Sequence, residues 1–147
     1  MSFTHDGVRD NLTHLAAPPY FYENLKRELI GFERSGHSIS LLRFALNPAF
    51  EIDLESEEGD ALVESAALNF SQLIMETLRR EDLCARLGLT EFVLIVSGNE
   101  ELVSVIAHRI ATSWSDDNFQ CLHASVLARR GESSLELLNR LDNETLT

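Results

Sequence analysis

The stretch that most limits the possible folds is RREDLCARLGLTEFVLIV, residues 79–96. Its pattern predicts a helix end, a short strand at 83–86, a tight turn at Gly88 and a second strand from 91 to 96. The second strand is almost wholly apolar and is bounded by turn residues, which is typical of a strand buried on both faces. The sequence therefore predicts a β-hairpin that lies inside the core.

Apolar periodicity predicts the other elements. A helix begins at Pro18–Pro19 and ends at Ser35–Gly36, because proline suits the first turn and glycine the end of a helix. The elements that follow, in order, are a strand at 38–46 broken by Asn47–Pro48, a helix at 57–80, the hairpin, a helix capped by Asn99, a strand at 119–128 and a short helix at 133–141. This β-α-β-β-α-β order predicts an α/β (α+β) fold of the ferredoxin-like type, with a central antiparallel sheet and an extra N-terminal helix.

A chain of 147 residues suits one domain with its own core. The pattern divides it into an N-terminal lead at 1–17, a single domain at 18–142 and a tail at 143–147. The lead carries no signal-peptide profile, and no stretch reaches the ~20 apolar residues of a membrane span. We therefore expect a cytoplasmic protein, with two buried free thiols at Cys84 and Cys121.

The net charge limits the partners. The chain has 24 acidic and 12 basic residues, a formal net charge of -12. Nucleic acids and anionic membranes are negatively charged and bind positively charged protein surfaces, so we expect neither as a partner. An anionic ligand would need a local basic group, and the arginine pair at 79–80 is such a group.

Several short segments resemble the GGDEF domains of diguanylate cyclases. GLTEF at 88–92 is similar to the signature itself, RRED at 79–82 to the RxxD motif that precedes it, and the segments SLL at 40–42 and AHRI at 107–110 to two further motifs. The family's opening motif is matched by Asp10, Leu12, Thr13, Leu15 and Phe21. The resemblance covers about residues 10 to 142 and implies a palm core of the ferredoxin-like kind.

The resemblance also implies lost catalysis. The family holds a divalent metal on GTP with carboxylates at the end of the first strand and at the third signature residue. Those positions are Ala45 and Thr90 here, and the single remaining carboxylate of Glu91 is a poor site for a magnesium–triphosphate complex. Leu89 replaces a glycine that would let the backbone approach a nucleotide. We therefore expect no enzyme activity, no magnesium and no other cofactor from this degenerate signature, which consists of Gly88, Leu89, Thr90, Glu91 and Phe92.

The RxxD motif, in contrast, is complete. The resemblance implies that Arg79 and Asp82 bind cyclic di-GMP, with Arg109 as a second arginine and Arg80 adding charge. A guanidinium matches guanine O6 and N7 or a phosphate, and a carboxylate accepts from guanine N1 and N2. We expect these side chains to meet beside the hairpin, in a non-catalytic receptor that passes the signal to a protein partner.

A second interpretation stays open. Arg79 and Arg80 would then complement the dipole of the preceding helix, Asp82 would be a turn residue and Arg109 part of a solvated helix face. The chain would then be a nucleotide-free scaffold for protein contacts or homodimerisation.

The role of Asp60 also stays open, because it is either a base-contacting residue or an acid in the first turn of a helix. The resemblance also implies a trimmed C-terminus, because the family continues into a longer helix and a closing strand, and an open sheet edge invites a partner.

Overall fold

The apolar hairpin forms two neighbouring strands of a four-stranded sheet. The computed structural model describes residues 3–147; residues 1 and 2 of the predicted lead lie outside the described part. The elements are α1 (Pro18–Ser35), β1 (Ile39–Pro48), α2 (Glu57–Thr77), β2 (Leu83–Arg86), β3 (Glu91–Ser97), α3 (Glu100–Ser113), β4 (Phe119–Leu127) and α4 (Ser134–Asn143).

The sheet has the strand order β2-β3-β1-β4, and every neighbouring pair is antiparallel. The antiparallel sheet was predicted from the β-α-β-β-α-β order, and it confirms the α+β fold. Alternate residues of each strand point to opposite faces. Leu42 and Phe44 of β1 pack with α2 and α3, whereas Ile39 and Leu41 pack with α1 and α4. The residues of β3 from 92 to 96 are all buried, as predicted.

Local signals set the helix ends. Gly36 follows α1 in the left-handed conformation, with φ 75°, and its N–H donates to the Phe32 carbonyl. The Asn99 side chain accepts from the N–H of Leu102 and caps α3. Gly59 lies in the first turn of α2, where a Cβ would come within 2.0 Å of the Asp53 carbonyl oxygen. The loop before α2 therefore packs its backbone directly on this helix.

Two predicted boundaries were wrong. α2 ends at Thr77 and not at residue 80, because Leu78 turns to an extended conformation and Arg79 forms side-chain bonds outside the helix. β1 continues through Pro48, opposite Phe119. Proline is tolerated there because the β1–β3 pairing ends at Ala45, so that side of the strand needs no N–H.

The segment before α1 and the last residue of the chain each bond to an outer strand of the sheet. Ala16 lies beside β2, accepting from the N–H of Arg86 and donating to the carbonyl of Cys84. Thr147 and His123 exchange two backbone hydrogen bonds of 3.0 and 3.1 Å, so the end of the predicted tail at 143–147 meets the outer edge of β4. Within residues 3–147 no helix is long and apolar enough to cross a membrane.

The two cysteines differ in exposure. Cys84 is buried in β2, while Cys121 is only half-buried, which corrects the expectation of two buried thiols. Both are free, and burial raises the pKa of each thiol, to about 12 for Cys121. Thiolates are the reactive form, so these residues are poor nucleophiles at neutral pH.

Candidate functional site

Arg79 and Asp82 form a bidentate ion pair in the turn between α2 and β2. Arg79 Nε and Nη2 each donate to a different oxygen of Asp82, at 2.7 Å. The same Nη2 donates to the Ser97 carbonyl at 2.9 Å, which ties the turn to the end of β3. These hydrogen bonds to Asp82 raise the pKa of Arg79 above its ordinary value. The RxxD residues are therefore brought together as predicted, three residues apart in one turn.

The two partners differ in their access to water. The side chain of Asp82 is 1% exposed, whereas that of Arg79 is 33% exposed. The N–H of Ser97 donates to Asp82 Oδ1 at 3.3 Å, so the carboxylate is occupied from two directions. Arg79 Nη1 lies 3.4 Å from the carboxylate of Glu81, whose side chain is itself 53% exposed. A ligand at this site would therefore reach the guanidinium of Arg79 before it reached Asp82. The main effect of Asp82 is to hold that guanidinium in one orientation.

The other two predicted arginines are exposed and lie outside this pair. Arg80 follows in the turn and Arg109 lies on α3, which packs beside α2. Neither side chain forms an ion pair within residues 3–147. No hydrogen bond in that range joins Arg109 to Arg79 or Asp82. Both side chains are thus available for an anionic ligand.

The signature segment forms the turn of the hairpin. The N–H of Leu87 donates to the Glu91 carbonyl at 2.9 Å and closes the loop. Gly88 keeps a negative φ, and a Cβ there would meet only ordinary contacts near Glu91. Leu89 packs its side chain on the core cluster, and the Thr90 carbonyl accepts from Leu46. Leu89 therefore turns the segment toward the protein interior.

Glu91 has a positively charged neighbour. Its carboxylate accepts from Arg43 Nη2 at 2.5 Å, and the two side chains are 45% and 17% exposed. Ala45 is the cross-strand partner of Glu91, so the position of the missing first-strand carboxylate lies directly opposite the one carboxylate that remains. A methyl group and a paired carboxylate beside a guanidinium are unlike the oxygen sets that magnesium takes. Within the described residues, no group of three His, Cys, Asp or Glu side chains comes together as a metal site.

A second arginine–aspartate pair lies under the hairpin turn. Arg86 Nη1 donates to both oxygens of Asp10, at 3.3 and 3.2 Å, and both side chains are almost fully buried. Nε and Nη2 of Arg86 donate to the Leu89 carbonyl, and Thr13 donates to Asp10 through its N–H and hydroxyl. The N-terminal segment is thereby fixed to the signature turn.

Sequence reasoning missed the roles of Arg43 and Arg86. Asp10 and Thr13 were recognised only as motif positions. A usable signal was present, because each arginine lies in an otherwise apolar strand, and a charged residue buried there needs a partner. The partner itself was not readable, since 76 residues separate Arg86 from Asp10. Asp60 remains a first-turn residue of α2 whose buried Oδ1 has no hydrogen-bond partner in the described part of the chain.

The structure combines an RxxD pair, a signature-type hairpin and a ferredoxin-like palm. This combination defines the class of palm domains to which the diguanylate cyclases belong. The profile of the family described as diguanylate cyclase, GGDEF domain, matches residues 8–129. The chain belongs to the GGDEF family.

A curated relative agrees with this assignment. Diguanylate cyclase DgcS of Shewanella oneidensis is 28% identical over 104 residues, which cover 71% of this chain and 34% of the relative. This chain therefore spans about a third of the length of that curated relative.

Two solved structures share the fold. The GGDEF domain of DgcB from Caulobacter crescentus, in complex with c-di-GMP, has a TM-score of 0.81 at 19% identity, over 97% of this chain and 87% of that one. Diguanylate cyclase SiaD from Pseudomonas aeruginosa, in complex with its activator SiaC, has a TM-score of 0.80 at 22% identity, over 91% of this chain and 55% of that one.

Proposed function

We propose that this chain is a non-catalytic GGDEF signalling domain that binds cyclic di-GMP at the RxxD turn and passes the signal to a protein partner. Two facts about relatives support the proposal. The DgcB domain was solved with c-di-GMP, and SiaD with a protein activator. The residues assigned to the ligand are Arg79, with Arg80 and Arg109 as additional positive charges.

The observation that carries the proposal is the fixed and partly exposed guanidinium of Arg79. Its bonds to Asp82 and Ser97 hold the planar group in one orientation, while a third of the side chain meets solvent. A guanidinium already ordered in this way loses little entropy on binding guanine O6 and N7 or a phosphate. The turn itself sets Arg79 and Arg80 against Glu81 and Asp82, so the attraction for a dianionic nucleotide depends on the exposed charges of Arg80 and Arg109 beside it.

The absence of catalysis is proposed from the metal positions. Ala45 brings no carboxylate, Thr90 brings none, and the carboxylate of Glu91 is paired with Arg43. Phosphoryl transfer between nucleotides depends on a metal that neutralises the triphosphate, and these residues do not fit one. Incubation with GTP and Mg²⁺ or Mn²⁺, followed by chromatography, should give no cyclic di-GMP. Product above that of a heat-denatured control would overturn this part.

Isothermal titration calorimetry with cyclic di-GMP tests the receptor. We expect saturable binding near ~1 µM, equivalent to about -8 kcal/mol, and loss of binding in Arg79→Ala. Arg34→Ala is the matched control, because Arg34 is an exposed arginine in the last turn of α1 and its loss changes the net charge equally. Arg109→Ala and Arg80→Ala should weaken binding by smaller factors. Circular dichroism confirms that each variant is folded.

One observation favours a second function. Asp82 is buried and fully engaged inside the protein, so the RxxD pair already serves a structural purpose without any ligand. The chain would then be a nucleotide-free scaffold of the same fold, acting through protein contacts or homodimerisation. No heat with cyclic di-GMP at high concentration, for protein shown to be folded, would end the receptor proposal and leave the scaffold. Arg79→Glu should abolish nucleotide binding in the first case and leave partner binding intact in the second.

A further inference from the structure

An apolar cleft lies against the outer side of β2, next to the RxxD turn. We call it the β2-edge cleft; its volume is about 280 Å³, and it is bounded by the N-terminal segment, the first turn of α1, the end of α2 and β2. Leu15, Leu78 and Leu83 form its floor. Leu78 precedes Arg79 and Leu83 follows Asp82, so the cleft adjoins the RxxD turn along the chain, although neither Arg79 nor Asp82 lines it.

Large apolar side chains stand exposed around this floor. Met75 is 64% exposed, Val8 is 49% exposed and Tyr20 is 40% exposed, and all three line the cleft. Single exposed apolar residues are normal on a protein surface, but several around one apolar depression mark an interaction site. The cleft therefore has both parts of a docking surface, a recess for an anchor and an apolar rim.

The charge around the cleft differs from that of the rest of the surface. No Asp or Glu lines it, although the chain carries 24 of them, and Arg9 and His14 line it instead. Four other surface clefts of the described residues each include at least one glutamate. The Asp6 carboxylate, close along the chain, accepts from the N–H groups of Val8 and Arg9. This cleft is thus a basic-rimmed recess on a strongly acidic protein.

We propose that the β2-edge cleft docks a protein segment that carries one or two large apolar side chains flanked by Asp or Glu. The apolar anchors would fill the recess between Leu78 and Leu83, and the flanking carboxylates would face Arg9. A volume of about 280 Å³ is large enough for one or two side chains. Opposite charge at the rim also steers a partner to an otherwise repulsive surface.

Selection from a random 12-residue peptide library displayed on phage tests this proposal. We expect the enriched peptides to share a Leu, Phe or Trp next to acidic residues. Their synthetic forms should lose about tenfold or more in affinity on Met75→Glu, measured by fluorescence anisotropy, because a charge then stands in the apolar contact. Arg9→Glu should weaken binding several-fold and reduce its dependence on salt.

Val105→Glu is the matched control, because Val105 is 54% exposed on α3 and does not line the cleft. It should leave peptide affinity unchanged. Binding should also persist in Arg79→Ala, which separates this proposal from nucleotide binding. Basic or purely apolar consensus peptides, or equal binding to wild type and Met75→Glu, would overturn it. A concentration-dependent dimer in analytical ultracentrifugation that is lost in Met75→Glu would also overturn the proposal, since the occupant of the cleft would then be a second copy of the chain.

Discussion

Two arginine–aspartate pairs lie at opposite ends of β2 and differ in what surrounds them. Arg86 and Asp10 are 1% and 0% exposed and join segments 76 residues apart. Arg79 and Asp82 lie three residues apart, and the Arg79 side chain remains 33% exposed. Both aspartates are closed off from water, so the contrast is in the arginines.

The contrast separates a structural role from one open to ligand binding. Every donating nitrogen of Arg86 has a partner inside the protein, and Phe3 lies 5.1 Å from its guanidinium carbon. Arg79 is held in a comparable way through Nε and Nη2, but its side chain stays partly exposed and its Nη1 meets only the exposed carboxylate of Glu81. A bidentate pair with an aspartate therefore does not by itself make an arginine structural. The fraction of the side chain that stays exposed decides whether the arginine can also bind a ligand.

The largest effect should follow from breaking the buried pair. Arg86→Ala leaves the Asp10 carboxylate buried with only its Thr13 bonds, and such an unpaired charge costs ~3–5 kcal/mol. That is a large share of the ~5–15 kcal/mol by which a domain is usually stable. Urea denaturation measures the loss. Adding Asp10→Asn should recover part of it, and a loss below about 1 kcal/mol in Arg86→Ala would contradict the structural role.

A smaller effect is expected for the exposed pair. Arg79→Ala leaves Asp82 with the Ser97 N–H as its remaining donor, and an unsatisfied buried group costs ~1–3 kcal/mol. Arg79→Lys keeps the charge but lacks the fork, so it should fall between wild type and Arg79→Ala in stability. The same denaturation experiment checks both. If Arg79→Ala were as destabilising as Arg86→Ala, the distinction between the two pairs would fail.

The smallest effect concerns a third pair, Arg140 and Glu132, which joins α4 to the loop before it. Hydrogen bonds from Arg140 hold the pKa of Glu132 below its ordinary value of 4.5. Because the folded-state pKa is the lower one, this contribution is complete above about pH 4.5 and is lost as the pH falls through the folded value. We expect up to ~1 kcal/mol, as for partly exposed pairs.

Denaturation of wild type and Glu132→Gln at pH 6 and pH 3 measures this term. The stability difference between the two proteins should be smaller at pH 3, because below about pH 4.5 the unfolded chain takes up a proton at Glu132 that the folded protein, with its lowered pKa, binds less readily. A difference that stays the same at both pH values would show that the Glu132 charge contributes nothing.

Most of the fold was predictable because its signals are local. The buried β3, the Asn99 cap and the helix start at Pro18 each depend on residues within a few positions, and all three were confirmed. The end of α2 was missed because its cause is not local. Arg79 leaves the helix to bond Asp82 and a carbonyl at the end of β3, a contact that no helical periodicity records.

The candidate site divides in the same way. The pairing of Arg79 with Asp82 could be expected from their spacing of three residues. The sequence also shows directly that Ala45 and Thr90 stand where the family has metal-binding carboxylates. The partners of Arg43 and Arg86, the burial of Asp82 and the apolar recess beside β2 could not be read. Each depends on which segments the sheet order brings together.

The sequence by itself determined the elements, their order and the family motifs, because hydrophobic period, caps and turn residues act over short distances. The tertiary structure alone decided which charged groups are closed off from water. Desolvation depends on everything packed around a group, and the segments around Asp10 and Arg86 meet only once the sheet has formed. The same packing left Arg79 with an exposed edge, and the proposed receptor function depends on that edge.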